Sequence, residues 1–76
     1  MTTVTYLQEL RKKIIEIEGK GSLTVGDSNK ICSHLASLYT GFHEILTRKD
    51  IRVDEMEEII SIMSFYKKKI KNYFHI

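Results

Sequence analysis

The sequence predicts an all-α protein of three helices, a short N-terminal helix followed by a long antiparallel helical hairpin. Three observations predict it. Apolar residues recur at spacings of three and four along most of the chain, which is the period of an amphipathic helix. The 76 residues include no proline and only four glycines, too little punctuation for a β-rich fold with a turn every several residues. Three of those glycines fall together in the segment Gly19 to Gly26, the one obvious loop. Residues 1–76 are therefore expected to form a single helical domain.

The first helix is expected from about Thr5 to Glu18. Leu7, Leu10, Ile14 and Ile17 fall on one face, and Tyr6 and Ile15 widen the stripe. Thr5 with Gln8 has capping-box spacing, and Thr3 is a second candidate cap. Gly19 and Gly21 follow the last periodic residue, where glycine most easily takes the left-handed C-terminal conformation. The run Gly19-Lys20-Gly21-Ser22 is not a phosphate loop. That motif needs a second glycine, then Lys and Ser/Thr, between a strand and a helix, whereas here a helix precedes the glycines.

The second helix is expected from Thr24 or Asp27 to about Thr47. Thr24 and Asp27 have capping-box spacing, and Asp27 is itself an alternative cap. Ile31, Leu35, Leu38, Phe42 and Ile45 step by four and three, with Cys32, Tyr39 and Leu46 beside them at every seventh residue. Gly41 inside this helix costs about 1 kcal/mol relative to alanine. With Ser33 and Ser37 it makes a row of small side chains that either admits another helix or faces water.

The stretch Arg48-Lys49-Asp50-Ile51-Arg52 breaks the period and joins the hairpin. Asp54 is the expected cap of the third helix, with Glu57 at the capping-box position. Acidic residues crowd its start, and Lys67, Lys68, Lys69 and Lys71 crowd its end, as the helix dipole favours. Met56, Ile59, Met63, Tyr66, Ile70 and Tyr73 form its seam. Ile60, Ile62 and Phe65 are left over on other faces, and a helix apolar on most of its circumference calls for burial on more than one side.

The opening Tyr6-Leu7-x-x-Leu10-Arg11-Lys12 resembles the start of the small nucleoid modulators of the Hha/YmoA type over about seven residues, and the middle of the chain departs from that family. No functional residue is carried over. The general build is also similar to small secretion chaperones and to phage-encoded inhibitors, a likeness of architecture alone.

Composition and motifs narrow the function classes. A chain that is 42% hydrophobic and 29% charged is too apolar for a disordered segment. Charged residues from Glu9 to Glu18 interrupt any signal-peptide core, and no apolar run approaches the roughly 18 residues of a membrane span. A soluble protein of a reducing compartment, the cytoplasm by default, is expected. Cys32 is a lone cysteine, so it forms no intrachain disulfide, and neither it nor His34, His43 and His75 has ligand spacing; no metal or other cofactor is expected. The cluster Asp54, Glu55, Glu57 and Glu58 is accounted for by a helix N-terminus rather than by acid–base chemistry. No enzyme activity is expected.

The leading expectation is a non-enzymatic module, a small regulator, adaptor, inhibitor or chaperone, that binds another protein or a second copy of itself. Ile60, Ile62 and Phe65 are the expected docking face, with the Ser33–Ser37–Gly41 groove as a second surface. The alternative is a nucleic-acid-binding regulator using Lys67, Lys68, Lys69 and Lys71 with Arg11, Lys12 and Lys13. A net charge of +2 is weak support for it. The long helices also fit poorly with the short ones of a helix–turn–helix reader.

Overall fold

A computed structural model describes residues 3–48 and 50–74; Lys49 in the expected connection and His75 lie outside the described residues. The chain forms three helices, α1 (Thr3–Glu18), α2 (Val25–Leu46) and α3 (Val53–Phe74). They share one core. Leu7 and Ile14 of α1, Ile31, Leu35, Leu38 and Ile45 of α2, and Ile59 and Ile62 of α3 are completely buried. Each such side chain contributes about 1.5–3 kcal/mol on removal from water.

α1 starts at Thr3, so Thr5 lies within the helix instead of capping it. The longer helix brings Val4 onto the buried stripe with Leu7, Leu10 and Ile14. Tyr6 and Ile15 do not widen that stripe; they stand at its two edges and both are exposed. After Glu18 the chain turns through Gly21, whose φ of 84° is the left-handed conformation that glycine adopts without strain.

α2 begins with the complete capping box expected at Thr24. Its hydroxyl accepts from the Asp27 amide at 3.0 Å, and the Asp27 carboxylate accepts from the Thr24 amide at 3.1 Å. Lys20 Nζ donates to the same carboxylate at 3.2 Å. These bonds, the Thr24 backbone first and Lys20 next, hold the Asp27 carboxyl below the usual carboxylate range. The helix continues unbroken past Gly41 to Leu46.

α3 begins one residue before the expected cap. The turn opens at Arg52, whose amide donates to Glu55 Oε1 at 3.3 Å and whose carbonyl accepts from Met56 at 2.9 Å. Arginine has no short oxygen to cap a helix, so Glu55 supplies the bond that Asp54 and Glu57 were expected to share. Asp54 instead takes the Arg52 guanidinium at 3.1 Å.

Two sets of contacts fix how α1 lies on the hairpin. Leu7 packs beneath Gly41, and the charge of Lys13 acts on His34, so α1 runs antiparallel to α2. Arg11 pairs with Glu58 at 2.9 Å, while Glu18 accepts from Lys69 at 2.7 Å and from the Tyr73 hydroxyl at 2.6 Å. α1 therefore runs in the same sense as α3. One side of the hairpin is covered by α1, and the opposite side is not.

Candidate functional site

The expected docking face divides between core and surface. Ile62 has 0% exposure, and Phe65 is half-buried against the core with Lys69 Nζ 5.4 Å from its ring centre. Both lie on the stripe of α3 that runs from Glu58 to Lys69 and Tyr73, and α1 reaches that stripe at each end. These two residues are thus internal packing and not a free face. Ile60 is the one of the three that faces outward, at 55% exposure.

The small-residue row on α2 also has an internal occupant. A Cβ placed on Gly41 would lie inside van der Waals distance of Leu7 Cδ2, so the glycine is where α1 comes closest to α2. Ser37 is half-buried beside it, and Ser33 is exposed at the far end. The row does admit another helix, but that helix is α1 of the same chain, so its Gly41 end is not a second docking surface.

The expected basic residues do not gather on one face. Arg11 and Lys69 are engaged by Glu58 and Glu18 on neighbouring helices. Lys12 and Lys13 are exposed on α1, whereas Lys67 faces the uncovered side of the hairpin. Lys68 and Lys71 are exposed on α3. Among the described residues no group of three or more His, Cys, Asp or Glu is placed to hold a metal ion. Among the described residues no helix is long and apolar enough to cross a membrane.

What the uncovered side of the hairpin holds is an apolar groove of about 540 Å³ between α2 and α3. Its floor is Phe42 and Tyr66, whose rings meet edge to face with centres 5.4 Å apart. Its walls are Tyr39 and Leu46 on α2 and Ile60, Met63 and Ile70 on α3. Tyr39 is 63% exposed, Leu46 47% and Met63 37%. The polar groups on it are few: His43, Ser64 and Lys67. Burial, and next to it the neighbouring Tyr39, raise the Tyr66 phenol above its ordinary range. The Tyr66 phenol is thereby no base near neutral pH, and the surface offers shape and apolar contact.

Tyr39, Leu46 and Met63 are the residues of this groove that the periodicity misassigned. Tyr39 and Leu46 read as flanks of the α2 seam and Met63 as part of the α3 seam. The signal that separates them is angular. On α2, Tyr39 and Leu46 project roughly 50–70° to one side of the buried Ile31–Leu35–Leu38–Phe42 line, the side away from Gly41 and α1. Comparison of the chain with protein-family models, with characterised proteins and with solved structures gives no match.

Proposed function

We propose that this chain is a non-enzymatic protein-interaction module that docks a partner protein in the α2–α3 groove, as a small regulator, adaptor, inhibitor or chaperone does. We place it in a reducing compartment such as the cytoplasm, which suits a lone thiol. One observation carries the reading: Tyr39, Leu46, Ile60 and Met63, four large apolar side chains, stand together on the side of the hairpin that α1 leaves bare. A contiguous apolar patch with a thin polar rim marks association surfaces, whereas single exposed apolar residues are ordinary. Covering the exposed halves of these side chains contributes roughly 1 kcal/mol each before the costs of association.

The test is a photoreactive phenylalanine analogue placed at Tyr39, compared with one at Lys12 on the outer face of α1. In cells that express the chain, the Tyr39 position is expected to give an adduct of discrete mass that disappears when Ile60→Asp is added. The Lys12 position is expected to give none. Equal adducts from both positions, or none from either, refutes a docking face in the groove.

A further inference from the structure

We propose that the partner in the groove is a second copy of this chain, docked about a twofold axis so that the two α3 helices run antiparallel and cross at Ser64. This rests on the groove being a docking face, and it adds the partner, the axis and the register.

The ground for it is the symmetry of the exposed residues on α3. From Ser64 they step outward by three and four, the spacing of a helix–helix seam. Ile60 and Lys67 come first, Glu57 and Lys71 next, Val53 and Phe74 last, and every one of them is exposed. A twofold axis at this point sets each residue of a pair opposite the other on the second copy. Val53 meets Phe74, Glu57 meets Lys71, and Ile60 lies along the aliphatic stem of Lys67. Each contact occurs twice, as an isologous interface requires. The seam lies about half a turn around α3 from the Glu58–Lys69 stripe, so α1 does not stand in the way.

Charge selects the same orientation. On this seam the first turns of α3 carry Glu57 and the last ones carry Lys67 and Lys71, while Glu58 and Lys69 are paired with α1 on the opposite stripe. Antiparallel helices lay the acidic half of one copy on the basic half of the other. Parallel helices would set like charges together. The area is adequate as well. Two packed helices of this length present a face on the order of 33 by 18 Å. That face, about 600 Å² in projection, is of the same order as the ~800 Å² per partner of a standard interface. Small Ser64 at the crossing lets the helices approach, with Met63 and Tyr39 closing around it.

The experiment is sedimentation equilibrium on the purified chain, on Glu57→Lys, on Lys71→Glu and on the double variant, at low salt. Circular dichroism serves as a check that these exposed substitutions leave the helices intact. The wild type is expected at twice the 8.9 kDa chain mass. Each single reversal sets like charges together at two symmetry-related places and is expected to weaken the dimer on the order of tenfold. The double variant restores the wild-type value. In a Cys32→Ser background, Ser64→Cys is expected to oxidise to a covalent dimer, and Glu9→Cys on α1 is not. A chain that stays at 8.9 kDa at several hundred micromolar overturns the proposal. So does a dimer that both single variants leave unchanged, or one that the double variant fails to restore. A monomer whose Tyr39 position still gives an adduct of discrete mass loses the second copy but keeps the docking face. A monomer with no such adduct loses both.

Discussion

Replacing Gly41 by alanine sets two effects of known size against each other. In an open helix the change is stabilising, because alanine is favoured over glycine in a helix interior by about 0.8–1.0 kcal/mol. Here the new methyl is driven into Leu7, whose Cδ2 it would overlap and whose Cγ lies 3.5 Å away. Leu7 is completely buried and has little room to turn aside. Overpacking of this kind costs about 1–3 kcal/mol. The net expectation is a loss of about 1 kcal/mol, a fall in Tm of roughly 4–8 °C for a chain this size. In a Leu7→Ala background the obstacle is gone, so the same Gly41→Ala change should stabilise by about 1 kcal/mol. The sign reverses, and the coupling between the two sites is on the order of 2 kcal/mol. Urea denaturation followed at 222 nm measures all four proteins. Trimethylamine oxide keeps the Leu7→Ala forms folded, since that truncation alone costs about 2–5 kcal/mol. One protein concentration must be used throughout, because association would couple stability to concentration. If Gly41→Ala stabilises the wild type by the full helix-propensity gain, α1 does not pack into α2 at this glycine and the reasoning is wrong.

Neighbouring isoleucines on α3 should respond in opposite ways. Ile62→Asp buries an unpaired charge and is expected to unfold the chain, whereas Ile60→Asp should leave the thermal transition within about 0.5 kcal/mol of the wild-type monomer. Tyr73 is pushed up to about 12 by burial first and then by its bond to Glu18. Between pH 10 and 12 the unfolded chain therefore loses this proton while the folded one keeps it, and stability falls as pH rises. Tyr73→Phe should flatten that slope in denaturation midpoints across the same range. Burial pushes the Glu18 carboxyl up, but hydrogen bonds from Lys69 and Tyr73 and the charge of Lys69 outweigh it and hold the group below its ordinary value. Its contribution is complete above about pH 4.5 and is lost as pH falls through the lowered value. Glu18→Gln should remove that part of the acid limb and cost about 1–2 kcal/mol at pH 7. Thr24→Ala removes the hydroxyl that caps α2 and should cost about 0.5–2 kcal/mol by thermal melting.

The three helices and the α2 seam were legible because each rests on local periodicity and local capping. Ile31, Leu35, Leu38, Phe42 and Ile45 all enter the core as their spacing requires. The cap of α3 was not legible, since the sequence offers Asp54 with Glu57 at capping-box spacing, whereas the path of the loop sets Arg52 at the cap and Glu55 three residues on. The docking face was legible as a surplus but not as a place. Periodicity shows that α3 has more apolar surface than one seam uses. Which part is hidden depends on the side that α1 takes, and that is settled by contacts 47 to 55 residues apart in the chain, Arg11 with Glu58 and Glu18 with Tyr73. Ile62 was therefore assigned to the surface and Met63 to the core, one position and a third of a turn out.

The ion pairs that tie α1 down also explain why one side of the hairpin stays bare. Arg11 and Glu18 engage Glu58 and Lys69 on the same stripe of α3, and Phe65 fills the space between them beneath Lys69. A helix fixed at both ends of one stripe cannot also reach the opposite one. α1 has only 16 residues, and its own apolar side is already spent on Gly41 and the core. Covering Tyr39, Leu46, Ile60 and Met63 thus requires material from outside this bundle. The acidic and basic ends of α3 have a second consequence beyond matching the helix dipole. They make the bare stripe its own complement when reversed, so that in the proposed dimer Glu57 and Lys71 face opposite charges. Neutralising the lysine end should leave the helix dipole poorly matched in the monomer and also remove the preference for that orientation. Lys71→Gln should therefore lower stability slightly at any concentration and weaken association separately, and a dilution series distinguishes the two.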